Sequence, residues 1–212
     1  MRNLFTTLLL CFSFLVSNAS VDTDSVKAYK KWGSYLKQFD FKANDIVLSL
    51  GCGGAWREFE LSLLTDSITF YLEDIDSTAL NTKAIRDKTG EFKTNRKRPL
   101  TNTFHIVYGT TDKIPVKDQF CNKVLIMNSF HHFDNKEVML AEINRSLIPE
   151  GKLIITDHIS LDVSKESSYG CDRNYFLLNE KDLVSLIEKA NFKLISITKM
   201  AKQTRQFVFE KK

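Results

Sequence analysis

Asp45-Ile-Val-Leu-Ser-Leu-Gly-Cys-Gly-Gly-Ala-Trp56 decides how the rest of this chain is read. Ile46 to Leu50 is an apolar run short enough for a buried strand. It breaks into Gly51, Gly53 and Gly54, and Trp56, Phe59 and Leu63 then recur at the spacing of one helix face. Strand, glycine turn and helix open a nucleotide-type α/β domain. The glycines let the backbone pass close under a ligand, and the free N–H groups at the helix start face it.

Trp56 stands where a dinucleotide fingerprint would place its third glycine, which argues against NAD or FAD. The next apolar run, Ile68 to Leu72, ends in Glu73-Asp74-Ile75-Asp76. Asp74 lies 23 residues after Gly51, about where a second parallel strand would bring a carboxylate to a ribose diol. An adenosine-containing ligand is therefore expected. The plainer alternative is an ordinary strand–turn–helix followed by a solvated acidic cluster.

Toward the N-terminus, Val26, Tyr29, Trp32, Leu36 and Phe39 predict a helix over 25–39, weakened in its middle by Gly33. Residues 1–19 have the parts of a secretory signal peptide: Arg2, an apolar stretch from Leu4 to Val16, and Ser17-Asn-Ala19 as a small-x-small cleavage site. Cleavage after Ala19 and export, periplasmic or secreted, are expected. With 212 residues the chain can bury one sizeable core, and 43% hydrophobic with 26% charged residues is a globular composition. A net charge of +4 does not argue for nucleic acid. Beyond the leader stand Cys52, Cys121 and Cys171, with no CxxC and no zinc spacing. One bridge could form in an oxidising compartment, with its pairing open.

Toward the C-terminus, the pattern predicts a helix over 77–89, with Ser77 as N-cap and Gly90 as its end. Residues 91–102 read as a solvated basic loop. Strands are expected over 104–108, 124–127 and 152–156, the second fully apolar and so central. Asp134-x-x-Glu137 opens a helix running through Leu147. Residues 159–176 are irregular and are expected to form a lid or substrate loop. Asn179 caps a helix over 180–190, and 192–198 with 207–209 predict an antiparallel pair.

With these elements in order, the chain resembles the class I S-adenosylmethionine-dependent methyltransferase family over roughly residues 25–211. The resemblance rests on Val47-Leu-Ser-Leu-Gly-Cys-Gly-Gly-Ala55, Leu72-Glu-Asp-Ile-Asp-Ser-Thr-Ala-Leu80, Ile114-Pro115 and Phe130-His-His132. It continues through Glu142-Ile-Asn-Arg-Ser-Leu-Ile-Pro-Glu-Gly151 to Asp157. The Asp157-His158 ending and the leader also look like a group of exported, poorly characterised bacterial members. The resemblance implies a single Rossmann-like α/β domain over 20–212. Its mostly parallel seven-stranded sheet would end in an antiparallel hairpin and carry helices on both faces. The implied cofactor is S-adenosyl-L-methionine and the implied partner a small-molecule acceptor, with no nucleic acid and no membrane span after leader cleavage.

Roles follow position by position. Gly51 and Gly53 would approach the methionine portion of the cofactor, Asp74 would accept both ribose hydroxyls, and Ile75 would pack on the adenine. Thr111 or Asp112 would meet the adenine edge, and Asn128 would line the sulfonium side. Ser49, Ala55, Thr110 and Cys121-Asn122 depart from the family pattern of acid, glycine, acid and acid. An exported, non-catalytic binding protein with a degenerate cofactor site is therefore the alternative.

In an open parallel sheet, ligands sit at the carboxyl ends of the strands. That gathers His131, His132, Asp157 and His158 near Asn128. His158, oriented by Asp157 or a neighbour, is the candidate base, with His131 or His132 as substrate contacts; alternatively His131-His132 caps the next helix. No metal site is expected, since adjacent histidines rarely share one ion.

Overall fold

Side-chain alternation along the strands sorts this chain into two cores. The computed structural model describes residues 23–33, 35–96, 98–161, 167–168 and 176–212. The leader expected at 1–19, Cys11, Cys171 and most of the loop expected at 159–176 lie outside the described residues. The chain begins with α1 (Thr23–Trp32), α2 (Leu36–Phe39), β1 (Ile46–Leu50) and α3 (Trp56–Ser62). It continues with β2 (Thr69–Asp74), α4 (Thr82–Asn95), β3 (Thr103–Tyr108) and β4 (Cys121–Met127). Then come α5 (Lys136–Ser146), β5 (Leu147–His158) and a short pair, β6 (Ser167–Ser168) with β7 (Phe176–Leu177). It closes with α6 (Glu180–Lys189), β8 (Phe192–Lys199) and β9 (Thr204–Lys211).

Seven strands form one sheet in the order β3-β2-β1-β4-β5-β9-β8. The first five run parallel, and β9 is antiparallel to both β5 and β8. Within β1, Val47 joins the core under α1 to α4, where Trp32, Phe39, Phe59 and Phe92 pack on Phe70 and Leu72. Leu48 and Leu50 face the opposite core, with Leu140 and Ile143 of α5 and Leu183 and Ile187 of α6. A sheet covered on both faces needs the nearly continuous apolar β4 and the central part of β5 seen here. The α/β architecture expected from the sequence is thus the one observed.

Four local expectations are corrected. The helix over 25–39 is two helices. Gly33 donates to Tyr29 O at 2.7 Å and sits against that carbonyl so closely that a Cβ would collide with it. Trp56 does not face the core but is 50% exposed, edge-on to Phe92 with Lys88 over its ring. The helix expected over 77–89 starts later, at Thr82 behind the Asn81 cap, and runs through Gly90 to Asn95. The expected basic loop is partly helix, and the Arg96 side chain is fully buried against Asp66 at 2.6 Å.

Candidate functional site

The strand order reverses between β1 and β4, because the chain moves outward to β2 and β3 and then crosses back. Such a switch point opens a crevice at the carboxyl ends of the strands. A cavity of about 390 Å³ lies there. Gly51 and Gly53 line it after β1, Glu73, Asp74 and Ile75 at the end of β2, and Thr110 and Thr111 after β3. Asn128, Ser129 and His132 line it after β4.

Backbone conformation makes the floor of this cavity. Gly51 has φ +61°, and a Cβ there would collide with the Ser129 side chain. Gly53 has φ +54° and open space beside it. Asp74 secures the turn: its Oδ2 accepts from Gly53 N at 2.6 Å and its Oδ1 from Asp76 N at 2.9 Å. Each carboxylate oxygen keeps a second lone-pair direction for a ligand hydroxyl. Ile75 is 62% exposed at the rim, an apolar surface available to a flat ring. Asn128 is itself left-handed at φ +62°, held by its N–H to Thr156 O at 2.7 Å. Thr111 is in the cavity wall but Asp112 is not; Thr110 Oγ1 donates to the Asp112 carboxylate at 2.6 Å.

The positions that depart from the family pattern behave differently from one another. Ser49 Oγ donates to Glu58 Oε1 at 2.6 Å, so α3 supplies a buried carboxyl group beside the strand position that lacks one. Burial pushes the Glu58 carboxyl above its usual range. Ala55 adopts the left-handed conformation, φ +57°, in the place of a third glycine. Cys121 and Asn122 open β4, at the end of the sheet opposite the cavity, and Asn122 Oδ1 accepts from Ile46 N at 2.8 Å. That departure lies away from the cavity.

Three of the four histidines, His131, His132 and His158, form one contiguous group. Asp157, 1% exposed, accepts from His131 N at 3.0 Å and His158 N at 2.7 Å, and its Oδ1 lies 2.6 Å from His131 Nδ1. The Asp157 side chain therefore orients His131 and accepts from the backbone N–H of His158. His158 Nδ1 lies 3.3 Å from Thr204 Oγ1. Burial pushes the His158 imidazole below its usual value, with Arg57 and His131 adding to the shift and Asp157 opposing it. The His132 ring, 4.0 Å from that of His131, carries the group into the cavity wall. His131 and His132 lie in a one-turn 3₁₀ segment, and α5 is capped by the Asn135 side chain rather than by either of them. Among the described residues no three His, Cys, Asp or Glu side chains are arranged to hold a metal ion.

Glu73 was not singled out from sequence. It is 4% exposed yet lines the cavity, and Gly51 N donates to its Oε2 at 3.4 Å. The available signal was a carboxylate one residue before Asp74, on the opposite side of β2 from Leu72.

Comparison with known proteins places this geometry among relatives. Residues 48–155 match a family model described as a methyltransferase domain. Phosphoethanolamine N-methyltransferase 2 of Caenorhabditis elegans is 22% identical over 196 residues, 89% of this chain, and the chain spans 40% of that relative's length. A SAM dependent methyltransferase from Aquifex aeolicus superposes with a TM-score of 0.64 at 17% identity, covering 90% of this chain and 98% of that one. The (4+2)-cyclase SpnF superposes with a TM-score of 0.65 at 11% identity, covering 90% and 81% of the two chains.

Proposed function

The chain belongs to the family of methyltransferase domains, and on that premise we propose that it is an S-adenosylmethionine-dependent methyltransferase for a small acceptor. Bound S-adenosylmethionine supplies a methyl group on a positively charged sulfur. The observation that carries the proposal is the Asp74–Gly53 arrangement in the switch-point cavity: a carboxylate fixed at 2.6 Å on the glycine turn, with acceptor capacity left for a diol.

In this proposal Asp74 takes the ribose, Ile75 packs on the adenine and Thr111 meets its edge. Gly51, Gly53 and Asn128 line the methionine side. A displacement at sulfur depends on alignment more than on charged catalysts. The acceptor lies on the histidine side, where His132 contacts it and His131, locked by Asp157, positions the His132 turn. His158, kept neutral by burial, is the group able to take a proton from an acceptor that arrives protonated. The sequence of residues 1–19 supports export as part of the proposal.

The alternative, a non-catalytic binding protein, is favoured by left-handed Ala55 in the glycine turn and by the departures at Ser49 and Thr110. SpnF, a cyclase of the same fold, shows that the architecture alone does not decide the chemistry. Calorimetric titration with S-adenosylmethionine, beside Asp74→Ala, separates the two. The methyltransferase proposal requires binding in the micromolar range, weakened at least roughly tenfold in the variant, as the loss of a charged hydrogen bond implies. A folded wild-type protein with no binding at millimolar cofactor would leave the repurposed scaffold.

A further inference from the structure

Asp74 takes the ribose in the arrangement above, and Glu73 beside it has no assigned partner there. The residue nevertheless forms part of the cavity wall although it is only 4% exposed. Oε2 faces Gly51 N, and Oε1 lies so close to Gly109 that a Cβ on that residue would collide with it. Gly109 has no left-handed φ, so it is space for Glu73 that makes glycine necessary there. The chain therefore gives up a side chain at 109 for this carboxyl group, while Gly51 offers it a backbone N–H.

No lysine or arginine pairs with Glu73 among the described residues. The groups around it are Asp74 on its own strand, the buried Cys52 thiol from the β1–α3 turn, and the neutral Thr110 and Thr111 after β3. His132 and Asp134 stand in the same wall from the β4–α5 connection. Burial first, then the Asp74 charge, pushes the Glu73 carboxyl up to about 7. The N–H groups of Gly51 and Gly109 oppose that rise without supplying a charge, and a buried carboxylate with no cation beside it favours a cationic occupant of its cavity over a neutral one of the same shape.

We propose that Glu73 selects the charge of the occupant: ionised, it favours cationic S-adenosylmethionine over the neutral thioether left after methyl transfer, S-adenosylhomocysteine, and protonated, it does not. This rests on the cavity being the S-adenosylmethionine site. Product release is thereby assisted by the loss of the sulfonium charge.

The test compares wild type with Glu73→Gln, which keeps the volume and an acceptor oxygen but cannot ionise. Dissociation constants for S-adenosylmethionine and S-adenosylhomocysteine are measured at pH 6 and pH 8. The ligands' own titration is common to both proteins and cancels between them. The preference for the cationic ligand is expected to rise about fivefold more in wild type than in the variant across that interval. The same pH response in both proteins, or an equal loss of both ligands in Glu73→Gln at both pH values, would overturn the proposal and leave Glu73 as a brace for Gly51 and Gly109. Should the variant not fold, the carboxyl carbon of labelled Glu73 in wild type decides. S-adenosylmethionine must move its titration to lower pH, and S-adenosylhomocysteine must not; equal movement by the two overturns the proposal. Failure of wild type to bind either ligand at any pH would remove the methyltransferase proposal itself, and this inference with it.

Discussion

Glu58 and Glu73 are carboxyl groups that burial drives toward the protonated form, one in the core beside Ser49 and one in the cavity wall. For Glu73 the consequence for stability has a definite sign. Its proton is held up to about 7 in the folded chain against an ordinary 4.5. Between those values the folded state binds more protons than the unfolded state, so stability falls as pH rises through that window and levels off above it. The shift corresponds to about 3 kcal/mol at most. Wild type should therefore lose roughly 5–10 °C of melting temperature between pH 5 and pH 7.5 relative to Glu73→Gln, the other groups being shared. Parallel melting curves in a scan across that range would refute the assignment. Neither acid could be read from sequence, for a physical reason. Asp74 was legible because its spacing from the glycine turn is fixed by the strand–helix–strand unit. Glu58 matters only because α3 places it against Ser49, and Glu73 only because Gly109 leaves it room and Gly51 N faces it.

Among the elements, α4 is where local sequence signals and structure part. Ser77 looked like a cap and Gly90 like an end, but Asp76 intervenes. Its Oδ1 accepts from Thr78 N at 2.8 Å and Ala79 N at 3.3 Å, making a separate turn and delaying the helix until Asn81 accepts from Ala84 N at 2.9 Å. Gly90 then sits inside a helix in ordinary right-handed conformation, with nothing within 4 Å of an added Cβ. Gly90→Ala should consequently stabilise the protein by about 0.5–1 kcal/mol, raising the melting temperature by roughly 1–4 °C. Asn81→Ala should cost about 1 kcal/mol, while Ser77→Ala should change little. Thermal denaturation of the three variants checks this, and a destabilising Gly90→Ala would show that the helix ends where sequence alone suggested. Long-period features survived better than these ends. The apolar runs of β1 and β4 follow from burial on both faces, which no single cap residue can shift.

For the molecule as a whole, parallel order and the position of the switch-point cavity were legible because a glycine turn after β1 and an acid after β2 jointly imply it. The histidine group was legible only as a neighbourhood: strand ends brought His131, His132, Asp157 and His158 together, but which imidazole Asp157 holds depends on a 3₁₀ turn after β4. The redox state of the chain belongs to this scale too. Export would take the protein to an oxidising compartment, where an accessible cysteine risks pairing. Cys52 and Cys121 are both buried free thiols. Burial raises both, Cys121 to about 12, so thiolate, the species that attacks a disulfide or an alkylating reagent, is scarce at either. Cys121 has no exposed surface and Cys52, in the glycine turn, has little, so labelling of either is expected to depend on opening of the fold. Protein recovered from the exporting compartment should therefore begin at Ser20, with Cys52 and Cys121 unpaired. Peptide mapping after alkylation should find those two thiols modified only when denaturant is present. Rapid labelling of both in the native protein would mean that the two cores open far more readily than their packing implies, and an unprocessed Met1 in the mature pool would remove export from the proposal.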